Sequence, residues 1–204
     1  MEYEWLLYAL FILSGLCALF FLITLKIRHS ITYINDFQKL LMSISTGLIQ
    51  RKSEDMDKAI GFALEMIGKF FEADRSYVFP LSDYQRQENE PEEEPVMDNT
   101  HEWCAPGVSP QIENLQRIPQ TIIPWWMEKI RENQVIRIHD VNKLPEAASV
   151  EKQILQPQGI LPLLVIPLSL EGKAIGFIGF DFTKRRVRFS ENVIFALRIA
   201  GKPS

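Results

Sequence analysis

The sequence predicts an α+β domain around a mainly antiparallel sheet, reached from a single transmembrane helix. Three observations carry this. Trp5 to Leu25 is a run of 21 residues without a charge. Behind it, apolar patterns follow in the order helix, helix, strand, strand, helix, strand, helix, strand, strand, helix. The last two strands meet at "LEGK", a tight hairpin turn containing Gly172. With 204 residues, 47% of them hydrophobic, the chain has material for one domain with a packed core plus an extra segment.

The charge-free run would span roughly 31 Å as a helix at ~1.5 Å per residue, about the thickness of a bilayer's hydrocarbon core. A cleaved signal peptide competes with this reading, but it wants a basic start and a shorter apolar stretch. Here Glu2 and Glu4 precede the run, and Lys26 and Arg28 follow it at once. The predicted organisation is an extracytoplasmic end at 1–4, a membrane helix at 5–25, a helical linker at 26–39 and a domain at 40–202. The basic flank places the N-terminus outside the inner (plasma) membrane and the domain in the cytoplasm.

From the linker into the start of the domain, Ile27, Ile34, Leu41 and Leu48 recur every seven residues, with Phe37 and Ile44 three after Ile34 and Leu41. Ser30 and Arg51 fill the pattern imperfectly. Two readings stay open: an amphipathic helix packed on its own domain, or a parallel homodimer seam continuing the membrane helix. The two can hold in different halves.

"SEDMDKAIGFALEMIGKFFEAD" is a second helix, with Ser53 at the N-cap position and Ile60, Leu64, Ile67 and Phe71 as its stripe. "RSYVFPL" is a strand. The connection after it carries most of the acid: between Ser82 and Asp98 stand Asp83, Glu88, Glu90, Glu92, Glu93, Glu94 and Asp98 against Arg86. The chain as a whole carries −4, which gives no general attraction to nucleic acid. "DNTHEWC" alternates as a strand. "PWWMEKIREN" opens with a proline suited to a first helical turn. "QVIRIHDV" is a strand leaving sharply at His139-Asp140, and "PEAASVEKQILQPQG" is a helix that Pro157 and Gly159 end. "ILPLLVIPLSLEGKAIGFIGFDFT" holds the two hairpin strands, and Ser190 caps a last helix.

The succession "GFALEMIGKFFEADRSYVF", "NTHEWCAPGVSPQIENLQRIP", "PWWMEKI", "VIRIHDVNKLP", "EKQILQPQGILPLLVIPL" and "GKAIGFIGFD" resembles a GAF domain over about Leu40 to Lys202. The resemblance is to the subgroup of bacterial sensor histidine kinases and cyclic-di-GMP signalling proteins. It implies a six-stranded antiparallel sheet with helices on both faces, the first, second and last on one. Central short helices and loops on the other cover a small-molecule pocket. The Asn-Lys-x-Phe-Asp-Glu signature of cyclic-nucleotide-binding members is absent. Bilin-binding members usually carry Cys followed by His, whereas Cys104 is followed by Ala105, so the sequence names no cofactor. Such a domain normally precedes an output module, and the chain ends at "IAGKPS" without a His-containing dimerisation helix, an ATP lid or a GGDEF loop. The expectation is either a truncated product or signalling through a separate output domain such as a histidine kinase or diguanylate cyclase.

The candidate ligand residues are Trp103, Cys104, Trp125, Trp126 and Asp140. Trp125 and Trp126, about 100° apart on one helix, cannot share a face. One is expected toward the core and the other toward the pocket or solvent, with Trp126 first to be tested. Cys104 is a small buried apolar residue unless a ligand attaches there. Residues three apart in a strand point to opposite faces, so His101 and Cys104 make no metal pair, and His29 and His139 are remote. The same geometry excludes Cys-His nucleophilic catalysis. Gly176 and Gly179 lie within a strand and form no phosphate loop. Three functions remain: a membrane-anchored sensory module without catalysis, the sensor fragment of a histidine kinase or diguanylate cyclase, or a ligand-free dimerisation and docking unit.

Overall fold

The computed structural model describes residues 3–49, 55–82, 94–185, 187, 189 and 194. The chain divides into two compact units, Met1–Lys39 and Leu40–Ser204. Helix α1, Glu4–Ile49, runs uninterrupted for 46 residues. It is long and apolar enough to cross a membrane. From Phe11 to Leu25 its apolar side chains stand in the open, Phe11 at 80% exposure and Phe20 at 69%, the reverse of a soluble core helix. Farther along, Ile27 is exposed, Ile34 and Leu41 are half-buried, and Phe37 and Ile44 are already buried within a single chain. The side chain of Leu48 lies outside the described residues, as do Arg51, Ser53, most of the acidic connection and Ser190.

Helix α2 is Met56–Phe71, and its Ala59, Leu64 and Ile67 are buried. It starts at Asp55 without a side-chain cap and ends on Glu72 in the left-handed region (φ 52°), whose neighbour Ala73 N–H returns to the Gly68 carbonyl. The strands are β1 (Arg75–Pro80), β2 (Val96–Met97), β3 (His101–Cys104), β4 (Ile118–Pro119), β5 (Ile136–Ile138), β6 (Leu163–Leu170) and β7 (Lys173–Asp181). Between them lie α3 (Pro124–Arg131) and α4 (Ser149–Leu155).

The resemblance implies six strands in one sheet. Among the described residues the sheet has five, in the order β3-β1-β7-β6-β5 with every pairing antiparallel, and β2 pairs instead with β4. The chain interrupts its ladder beside β1 between Met97, which still bridges Leu81 while pairing with β4, and Thr100. Asn99 N–H turns to the Leu115 carbonyl, and Thr100 N–H returns to Val78, so strand pairing on β1 resumes only at His101. The hairpin forms at "LEGK" with Glu171 at φ 50° and Gly172 at φ 83°, both positive as a type I′ turn requires.

Alternation along the strands divides two cores. Ser76 donates to the Leu64 carbonyl of α2, and Phe180 meets the Phe71 ring edge-on at 5.2 Å. The opposite face presents Tyr77, Phe79, Leu163, Val165 and Phe177 to Trp126, Met127, Ile130 and Leu155 of α3 and α4. Gly68 explains how α2 approaches so closely: a Cβ there would stand 2.6 Å from Trp103 Cε3.

Candidate functional site

The sheet face under α3 and α4 lines a partly open cavity of about 60 Å³, room for a few waters or part of a small molecule. Its walls are largely apolar, with the rings of Tyr77, Phe79, Trp126 and Phe177. Phe79 and Phe177 stack at 4.9 Å between centroids, and Trp126 meets Phe177 at 6.0 Å. Polar groups enter from three sides, and each is placed by a different element.

From the sheet come Tyr77 and Asp181. The Tyr77 hydroxyl donates to Asp181 Oδ1 at 2.8 Å, and Arg75 Nη2 lies 3.0 Å from Asp181 Oδ2. The Arg75 contact is an ion pair that lacks hydrogen-bond alignment. Register assembles the trio: Arg75 pairs directly with Asp181 on β7, and Tyr77 pairs with Gly179. Gly179 is required here, because any Cβ would overlap the Tyr77 ring lying across β7. Burial pushes the Asp181 carboxyl up to about 6, with Arg75 and the Tyr77 hydroxyl opposing the rise. Burial, then the adjacent Asp181 charge, holds the Tyr77 phenol well above its ordinary value.

From β3 comes Glu102, whose Oε2 accepts the backbone N–H groups of Gln111 and Ile112 at 2.8 and 3.0 Å and ties the following loop to the sheet. From α4 comes Glu151, exposed by only 2%. Ile123 precedes α3 and has no side chain able to cap it, so Glu151 Oε1 accepts the Trp126 N–H at 3.1 Å instead. Glu151 Oε2 and Trp126 Nε1 are buried without a hydrogen-bond partner among the described residues.

Of the residues expected from sequence, Trp126 lines the cavity. Trp125 is half-buried on the turn beside it, with the Lys129 ammonium 4.9 Å from its ring centroid. The remaining three stand outside the lining. Trp103 is on the other face of the sheet, against Gly68, because His101 and Trp103 alternate with Glu102 and Cys104. His101 faces the same way, with Nε2 3.3 Å from Asp57 Oδ1 of α2. Cys104 closes β3, its thiol pushed up to about 11 by burial and the Glu102 charge, which leaves it a poor nucleophile at neutral pH. Asp140 is occupied locally, accepting the Asn142 N–H at 3.1 Å in a 3₁₀ turn over Val141–Lys143. Among the described residues no three His, Cys, Asp or Glu converge as a metal site.

Sequence inspection missed Arg75, Tyr77, Glu151 and Asp181. A signal existed for two of them. Arg75 opens the apolar "RSYVF" and Asp181 closes "GFIGFD", and a charge inside a buried strand calls for a partner. Glu151 gives no such signal, since a glutamate in a short helix is ordinarily exposed.

The family model for the GAF domain matches residues 55–201. The chain belongs to the GAF domain family. A curated relative, the methanogenesis regulatory histidine kinase FilI of Methanothrix harundinacea (strain 6Ac), is 34% identical over 149 residues; the match covers 72% of this chain and 16% of that protein. The chain thus spans a small part of that relative's length. Among solved structures, the GAF domain of PixJ from Thermosynechococcus elongatus in its blue-light absorbing form superposes with a TM-score of 0.54 at 16% identity, covering 73% of this chain and 82% of that one. A domain of a putative two-component sensor histidine kinase from Sinorhizobium meliloti 1021 gives 0.51 at 19% identity, covering 73% and 88%. These two establish the shared fold. The GAF domain here is a sensory domain related to those of histidine kinases, and GAF domains are regulatory rather than catalytic.

Proposed function

We propose that this GAF domain binds a small molecule in the cavity beside Trp126, is held at the inner face of the plasma membrane by α1, and relays occupancy to a histidine kinase-type output. The observation that carries the binding reading is the cavity itself: aromatic walls, and two lining residues, Glu151 and Trp126, each with a buried polar atom that lacks a partner among the described residues, the composition of a ligand site rather than of a filled core. The exposed apolar surface of α1 from Phe11 to Leu25, with acids before the charge-free run and Lys26 and Arg28 after it, supports an N-outside single pass. Similarity to a histidine kinase over a fraction of that protein's length supports a kinase output, either in the same polypeptide or in a partner.

A homodimer is part of the proposal. Phe37 and Ile44 are covered within one chain, so the seam falls to the exposed Ile27 and half-buried Ile34. Thermal-shift screening of metabolites against the full chain in detergent tests binding. With a stabilising compound in hand, Trp126→Leu is expected to weaken it about tenfold or more while Trp125→Leu changes affinity little. Absence of any stabilising compound, with both variants merely melting earlier, refutes ligand sensing.

A further inference from the structure

Resting on that small-molecule reading, we infer that the cavity selects a small organic cation, an ammonium or amidinium whose N–H donates to Glu151 Oε2. The lining contributes three carboxylates, Glu102, Glu151 and Asp181, and among the described residues no Lys, Arg or His. Two of the three are already matched. Asp181 is answered by Arg75 and the Tyr77 hydroxyl, and Glu102 by two backbone N–H groups. Glu151 is different. Its Oε1 is used by Trp126 N–H, while its Oε2 is buried, in a side chain exposed by only 2%, without a partner among the described residues.

An acceptor of this kind, carrying charge and removed from water, is costly unless something donates to it. A cationic donor satisfies it with a charge-assisted hydrogen bond, roughly twice as strong as a neutral one. The aromatic part of the lining fits the same class, while the unpartnered Trp126 Nε1 donor calls for an acceptor elsewhere on the ligand. Tyr77, Phe79, Trp126 and Phe177 present rings to the one cavity, and aromatic faces attract a desolvated cation. An anion would meet Glu102 and Glu151 with no lining cation to offset them, and Asp181 with its charge already matched by Arg75. The cavity is partly open to solvent, so it takes the cationic head and the group next to it without enclosing the whole molecule.

The test uses the full chain in detergent and three near-isosteric probes: benzylammonium, benzyl alcohol and benzoate. Affinities are read by isothermal titration and thermal shift. Benzylammonium is expected to bind at least tenfold more tightly than benzyl alcohol, and benzoate not to bind. Glu151→Gln retains an amide oxygen to accept the Trp126 N–H, so α3 keeps its first turn. It should cost benzylammonium tenfold or more and change benzyl alcohol less than threefold. Equal or tighter binding of the alcohol or benzoate overturns the cation inference and leaves small-molecule sensing standing. Benzylammonium affinity undiminished in Glu151→Gln overturns it as well. Binding by none of the three also overturns it, and the metabolite screen with Trp126→Leu then judges the sensory reading separately. Should Glu151→Gln fail to fold, the order of the three probes on the unsubstituted protein decides.

Discussion

Arg75→Met tests the buried charge pair that forms the sheet side of the cavity. Arg75 and the Asp181 side chain are exposed by 2% and 3%, with Nη2 3.0 Å from Oδ2. At an effective dielectric of ~20 the attraction at that separation is about 5–6 kcal/mol. Removing Arg75 also removes the cost of burying the guanidinium, which offsets part of the loss, so the net cost falls in the ~3–5 kcal/mol range of broken buried pairs. For a unit of this size that lowers Tm by roughly 6–20 °C. The cost depends on pH, and its sign follows from Asp181. Burial already raises that carboxyl to about 6 in the folded protein, so its contribution to stability is full below the ordinary carboxylate value and is lost as pH rises through 6. Without Arg75 the folded-state value rises further, so the variant's deficit should be small near pH 5, where Asp181 protonates, and large at pH 8. Arg75→Met/Asp181→Leu removes both charges and should recover most of the loss. Melting the full chain in detergent by Trp fluorescence at pH 5 and 8 checks this. A deficit equal at the two pH values, or a double variant no better than the single, refutes the assignment of a mutually dependent pair.

Other perturbations probe the same architecture. Tyr77→Phe removes the 2.8 Å hydrogen bond to Asp181 and should cost about 1–2 kcal/mol at pH 8 by chemical denaturation, less at pH 5. Gly179→Ala forces the Tyr77 ring off β7 and should lower Tm more than Gly172→Ala, whose site has nothing within 4 Å and only a backbone strain to meet. Asp74 is opposed by burial, but the Thr183 and Lys184 N–H groups outweigh this and hold its carboxyl below the ordinary value. Its stabilisation is therefore present above the ordinary carboxylate pKa and lost as pH falls through the lowered one, so Asp74→Asn should flatten the acid limb of a pH–stability curve. Ile27→Asp/Ile34→Asp should convert a detergent-solubilised dimer to monomer in light scattering, and a reporter fused after Ser204 should be active only if it functions in the cytoplasm.

The local pattern of the sequence determined most of the described elements in their order; it did not single out β2 or β4, and the expected last helix lies outside the described residues. A 21-residue charge-free run followed at once by Lys26 dictates a long apolar helix, period-3.6 stripes dictate α2, and "LEGK" dictates a hairpin. Even the division between Trp125 and Trp126 follows from helical geometry, although which of them lines the cavity does not. Tertiary pairing decided the rest. Trp103 lies on the α2 face and Glu102 on the cavity face because β3 enters its register at His101, a consequence of where the chain interrupts its ladder beside β1 after Met97. Tyr77 and Asp181 stand 104 residues apart in the chain and meet only because β1 and β7 are neighbours. Glu151 becomes an inward carboxylate only when α4 packs over the start of α3. Periodicity records which side of an element is buried. The identity of the groups that face one another there is set by long-range register, which no local window of sequence contains.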